Sequence, residues 1–87
     1  MLSIHYHKNF KKQFARLPKK IQDKFWTRIA IFLRDPYSME LNNHPLSGEW
    51  GKHRSMDITG DIRAVYRIEN EMALFATIGS HSQLYGK

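Results

Sequence analysis

Apolar and polar residues alternate at the start of the chain. Leu2, Ile4 and Tyr6 are separated by Ser3 and His5, which predicts a strand over Leu2–Tyr6. The period then lengthens. Phe10, Phe14 and Leu17 fall on one helical face, Lys8, Lys11, Lys12 and Arg16 fall elsewhere, and Asn9 is suited to cap the helix. Pro18 ends this helix and fits the first position of the next. Ile21, Phe25, Ile29 and either Phe32 or Leu33 form a second, longer stripe, which must stop before Pro36 because the residue preceding a proline avoids the helical region. Two helices broken at Pro18 predict an α-hairpin.

Asp35–Gly51 is rich in Pro, Asn, Ser and Gly and reads as loop. From Lys52 the period becomes two. Strands are expected over Lys52–Asp57, Asp61–Ile68 and Met72–Ile78, with turns at Ile58-Thr59-Gly60 and around Glu69-Asn70-Glu71. The remainder, Gly79–Lys87, is read as a turn and a short terminal segment. A three-residue turn puts Gly60 in the left-handed position such loops favour. It also aligns Met56 with Ile62, Ala64 and Tyr66 on one face, and register follows that apolar pattern. His53, Ser55, Asp57, Asp61, Arg63 and Arg67 then share the other face, with Asp57 directly opposite Asp61. The expected class is α+β, in the order β-α-α-β-β-β. Two helices cover one face of a twisted, mainly antiparallel sheet, and the other face is open and basic.

Eighty-seven residues make one domain, 1–87, and a chain of this size buries only roughly 60–65% of its unfolded surface. Any active site must therefore lie on the surface of a single small core. The net charge of +6 favours an anionic partner. The lack of cysteine excludes disulfides, thiolate zinc sites and thiol nucleophiles. No apolar stretch is long enough to span a bilayer and Met1–Phe10 has no signal-peptide core, so a cytoplasmic protein without a membrane partner is expected. His5, His7 and His53 have no spacing suited to a metal site, and no cofactor is expected. Arg54 falls on the core side as a structural donor, and Trp26 and Trp50 belong to the core or its rim.

Three segments carry chemistry. The first is His44-Pro45-Leu46-Ser47-Gly48-Glu49-Trp50, followed by Arg54. The second is Asp61-Ile62-Arg63-Ala64-Val65-Tyr66. The third is Gly79-Ser80-His81-Ser82-Gln83-Leu84-Tyr85-Gly86. Together, and over nearly the whole chain, they resemble the YafQ branch of the RelE/ParE toxin superfamily. The order of elements is also similar to that fold. Two positions depart from the YafQ pattern: Asp57 stands where it has a strand histidine, and Ile62 where it has a tryptophan.

The resemblance implies the toxin of a type II toxin–antitoxin system, a ribosome-dependent endoribonuclease that cleaves mRNA. In that reaction the ribose 2′-hydroxyl attacks the adjacent phosphorus and a 5′-hydroxyl leaves, without metal. A base, an acid and a cation at the phosphate are needed. By the same resemblance His44 and His81 match catalytic histidines, Asp61 an acidic residue and Tyr85 a terminal aromatic. Arg63 matches an arginine typical of the RelE branch. Arg63 is assigned to the phosphate, His81 to the leaving group, and either His44 or Asp61 to the base. Tyr85 stacks on a base or orients the phosphate. Lys52, His53 and Arg67 are the RNA-binding side chains. The implied partners are the ribosome, mRNA and a cognate antitoxin, expected to be an acidic, partly disordered chain. Two other readings compete: a non-enzymatic ParE-type gyrase inhibitor, and a nucleic-acid-binding module without catalysis.

Overall fold

The computed structural model describes residues 2–85; Gly86, which closes the terminal motif, lies outside them. Strand β1 (Ser3–Tyr6) leads into helices α1 (Lys8–Ala15) and α2 (Lys19–Arg34). A short strand β2 (His44–Pro45) follows, then β3 (Arg54–Asp57), β4 (Ile62–Glu69), β5 (Met72–Ser80) and a terminal helix α3 (His81–Tyr85). The five strands form one sheet in the order β1-β5-β4-β3-β2. β1 runs parallel to β5, and every other pair is antiparallel.

The two-residue alternation and the helical stripes meet in one core. Phe25, Phe32, Met56, Ala64, Tyr66, Ala73 and Phe75 are fully buried. Phe32, not Leu33, takes the last place of the α2 stripe; Leu33 is half exposed. Phe25 is ringed by Tyr6, Phe10, Phe14, Trp26 and Phe75, with centroids 5.0–6.3 Å away. Such edge-on and tilted ring pairs add to plain area burial. Trp26 is half exposed and belongs to the rim.

Both helix starts differ from expectation. His7, not Asn9, caps α1: its Nδ1 accepts from Asn9 N at 3.0 Å. Pro18 is itself the cap of α2, with extended backbone, and the helix opens at Lys19. A proline that lacks an N–H loses nothing at the edge of a helix, so either position suits it.

The β3–β4 turn is wider than three residues. Asp57 pairs with Arg63, Met56 with Ala64 and Ser55 with Val65. Gly60 is not left-handed. Thr59 makes the turn instead, its hydroxyl accepting from Asp61 N and Ile62 N, while Ile62 O accepts from Ile58 N at 2.8 Å. Relative to the expected register the pairing slips by two residues. An even slip leaves every side chain on its predicted face. It also replaces the repulsive Asp57–Asp61 pair with a pair of opposite charges, the favourable cross-strand arrangement.

The segment read as loop, Asp35–Gly51, holds more order than expected. It contains the edge strand β2 and two 3-10 turns, Met39–Leu41 and Gly48–Trp50. Leu41 is fully buried and pins the first turn to the core. Asn43 anchors the next residues: its amide donates to Pro36 O and to the Tyr66 hydroxyl, and its carbonyl accepts from Arg54 Nε at 2.6 Å. Arg54 is thus the structural donor expected of it, and its guanidinium also lies over the Tyr37 ring. Burial pushes the Tyr66 phenol above its ordinary pKa, so it stays protonated against Asn43. Asn43→Ala should lower unfolding free energy by about 1–3 kcal/mol, because it strips partners from groups on a buried tyrosine and a half-buried arginine. Urea denaturation checks this; a shift no larger than that of an exposed alanine substitution would remove Asn43 from the framework.

Candidate active site

The outer face of the sheet, away from α1 and α2, carries the candidate chemistry. Antiparallel partners point to the same face. His44 pairs with Ser55, which pairs with Val65. One step along, Asp57 pairs with Arg63, which pairs with Gly79. The open face expected from the sequence is only partly open. Ser55 and Val65 are both 0% exposed although neither belongs to the core under the helices. The reason lies in the flanking segments. The loop after β2 and helix α3 converge over this face, tied by a bond from Trp50 Nε1 to Leu84 O at 3.4 Å.

Between them lies a cleft of about 340 Å³, lined by His44, Leu46, Ser47, Arg63, His81 and Tyr85. Four of the five residues assigned to catalysis therefore meet in one place. They come from β2, β4 and α3, up to 41 positions apart (85 − 44).

His44 is half buried, and its Nδ1 lies 2.8 Å from Asn42 O. A carbonyl only accepts, so Nδ1 must carry the proton. In the neutral ring Nε2 is then left with the lone pair, the tautomer a general base requires. Arg63 Nε lies 3.5 Å from Asp57 Oδ1, and its Nη1 donates to Gly60 O at 3.4 Å. The contact with Asp57 is a loose ion pair, not a hydrogen bond. The guanidinium is placed without being consumed.

The tail was expected to turn at Gly79. Instead β5 continues through Ser80, and His81 opens a five-residue helix. Ser80 and Gln83 cap it reciprocally: Ser80 N donates to Gln83 Oε1 at 2.8 Å, and Gln83 N donates to Ser80 Oγ at 3.2 Å. Gly79 leaves room for this cap, since a Cβ there would stand 2.8 Å from Gln83 Oε1 and push that side chain aside. His81 N also donates to Asp61 O, which fastens the helix start to the β3–β4 turn. The His81 ring is exposed and meets the Tyr85 ring edge-on at 4.7 Å, one helical turn away. The Tyr85 hydroxyl is buried and has no hydrogen-bond partner among the described residues.

The other assigned residues lie outside the cleft. The Asp61 carboxylate is exposed, and only its backbone takes part in the local bonding. Lys52 is exposed in a turn with φ +71°, not in the strand expected for it. His53 is half buried, with its Nδ1–H donated to Gly51 O and its ring against Trp50. Arg67 is engaged by Glu69 at 3.4 Å. Leu46 and Ser47 also line the cleft, and no charge or imidazole marks either of them in the sequence. Among the described residues no group of three or more His, Asp or Glu could hold a metal, and no helix is long and apolar enough to cross a membrane.

Known proteins share this architecture. The YoeB/ParE toxin from Agrobacterium tumefaciens superposes with a TM-score of 0.79 at 19% identity, over 92% of this chain and 99% of that one. YafQ from E. coli superposes with a TM-score of 0.83 at 20% identity, over 99% and 100%. The same E. coli protein in the DinJ–YafQ toxin–antitoxin complex gives 0.80 at 20%, over 98% of each chain. The fold is thus that of the RelE/ParE toxins. In sequence, a Haemophilus influenzae protein assigned as a YafQ toxin is 32% identical over 94% of this chain and 90% of its own length. The family model for the YafQ toxin of type II toxin–antitoxin systems matches residues 2–86. This chain belongs to the YafQ family of type II toxins.

Proposed function

We propose that this toxin is a ribosome-dependent endoribonuclease that cleaves mRNA through the cleft between β2, β4 and α3. The observation that carries this is the convergence of His44, Arg63, His81 and Tyr85. Two imidazoles and a guanidinium can supply the base, the acid and the cation at the phosphate that a 2′-hydroxyl attack needs.

Nε2 of His44 takes the proton of the ribose 2′-hydroxyl. The freed oxygen attacks the adjacent phosphorus, and the bond from phosphorus to the 5′-oxygen breaks. His81 gives its proton to that departing oxygen. The products are a 2′,3′-cyclic phosphate and a 5′-hydroxyl. Arg63 holds the phosphate oxygens, where negative charge rises in the transition state. Tyr85 lines the same cleft, where its ring can stack on a base of the message. His44 is preferred to Asp61 as the base because His44 lines the cleft with its lone pair on Nε2, whereas Asp61 does not line it.

Lys52, His53 and Arg67, outside the cleft, are the proposed contacts to RNA backbone. The net charge of +6 favours both the ribosome and an acidic antitoxin. The E. coli relative is solved in complex with DinJ. A cognate antitoxin is accordingly the proposed protein partner here, with a cytoplasmic site of action.

The test is cleavage on ribosomes programmed with a defined message. The cut message should end in a 2′,3′-cyclic or 3′-phosphate, opposite a 5′-hydroxyl. Cutting should persist when divalent ions are chelated and the ribosomes are kept intact with polyamines. A 5′-phosphate product, or loss of all cutting under chelation, would overturn the mechanism. Intact message together with lost supercoiling would favour the gyrase inhibitor.

A further inference from the structure

Asn42 does not line the cleft, yet it bonds to His44, which does, and to Asp57, the ion-pair partner of Arg63. It sits two residues before His44 with φ +48° and ψ +43°, a left-handed conformation that asparagine tolerates better than most residues. That backbone aims its carbonyl at His44 Nδ1, 2.8 Å away. His44 pairs with Ser55 across the sheet, so Asn42 falls opposite Asp57, and its Nδ2 donates to Asp57 Oδ2 at 3.2 Å. Asp57 in turn holds Arg63 Nε through its other oxygen at 3.5 Å. Asn43, the next residue, faces the framework and is bonded to Tyr66 and Arg54. One neighbour anchors the segment and the other serves the site.

We infer that Asn42 is a positioning residue that sets the base and the phosphate-binding arginine together: its carbonyl fixes the tautomer of His44, and its amide holds Asp57 against Arg63. This rests on the cleavage reading above. Asp57 is then the centre of the arrangement. It stands where the YafQ pattern has a histidine, and here it serves as an anchor for Arg63. The carboxylate has one oxygen for the amide and one for the guanidinium. Without the amide it is free to rotate away, and Arg63 loses its fixed place.

The two arms separate by mutation. Asn42→Gly keeps the left-handed backbone and the carbonyl but deletes the amide. If Asn42 served only to turn the chain, glycine would equal or exceed it, because glycine has no steric penalty at positive φ. Asn42→Asp keeps the shape but offers no donor and places a second carboxylate against Asp57.

Single-turnover cleavage should fall about ten- to hundredfold in Asn42→Gly, as expected when a group at the reacting phosphate is misplaced. Asn42→Asp should fall at least as far, and thermal melting of both variants should stay near the parent. In an Asp57→Asn background, Asn42→Gly should cause little further loss. Parental cleavage by Asn42→Gly, or full additivity with Asp57→Asn, would overturn the inference. Nitrogen NMR gives a readout that needs no activity. The Nδ1–H tautomer of His44 should persist in Asn42→Gly, while the Arg63 Nε–H resonance shifts as Asp57 moves away from it. An unchanged Arg63 signal would also overturn the link. If the parent itself fails to cut message, the cleavage reading falls, and the NMR result still decides whether Asn42 sets these two groups.

Discussion

His81→Ala should cut the rate of single-turnover cleavage by about a hundred- to ten-thousand-fold and leave the fold intact. The imidazole is exposed at the first turn of α3, so its removal opens no cavity in the core. The start of α3 is held by main-chain and neighbouring groups: His81 N on Asp61 O, and the reciprocal Ser80–Gln83 cap. None of these uses the ring. The ring's recorded contact is Tyr85, a 4.7 Å edge-on pair. Its chemical position is costly to vacate. The ribose oxygen that departs is strongly basic, and without a proton donor it leaves slowly. Antitoxin affinity should survive, since it comes from a broad surface and not from one exposed imidazole. The measurements are cleavage on programmed ribosomes, thermal melting and antitoxin titration. A variant that cuts within a few-fold of the parent would remove His81 from the acid role. A variant that melts far below the parent would show that the ring holds α3 in place.

Much of this geometry was legible because it follows from periodicity. The stripe Phe10, Phe25, Ile29, Phe32 and the alternation around Met56, Ala64 and Tyr66 specify which faces are buried. The grouping of His44, Arg63, His81 and Tyr85 in one cleft was legible for a different reason: they lie in motifs similar to those of the family. What escaped reading depends on side-chain bonds that periodicity does not register. The β3–β4 register is one case. Apolar alternation repeats every two residues, so it accepts a two-residue slip without complaint, and Thr59 and the Asp57–Arg63 pair decide between the options. Strand β2 is another. It has only two residues, one a proline, and its order comes from Leu41 and Asn43 reaching the core on either side of Asn42. The cap of α1 is a third, since a histidine at that place competes poorly on propensity alone with the asparagine two residues on. These features share a consequence. The framework was set by apolar pattern, but the details that place His44 and Arg63 were set by polar residues in loops.

Arg63→Ala should lower the cleavage rate by about a hundred- to a thousandfold, the usual loss when a preorganised donor to transition-state charge is removed. It should also reduce the slope of log RNA affinity against log salt by about one phosphate contact. The argument starts from placement. Arg63 lies near the start of β4, its side chain 20% exposed, within a cleft that also holds two imidazoles. Its contacts within the protein, an ion pair through Nε at 3.5 Å and one donation from Nη1 at 3.4 Å, leave the remaining guanidinium N–H groups for a phosphate. Stability should fall modestly, because Asp57, only 23% exposed, keeps the Asn42 amide on Oδ2 but loses the charge facing its buried Oδ1. Arg63→Lys separates charge from shape. Lysine keeps the positive charge and should restore the salt slope. It lacks the planar fork that meets two phosphate oxygens at once, so it should recover only part of the rate. The two measurements are a salt titration of RNA binding and single-turnover cleavage, run on the parent and both variants. If alanine leaves slope and rate unchanged, Arg63 belongs to the ion pair with Asp57 and has no part in the chemistry.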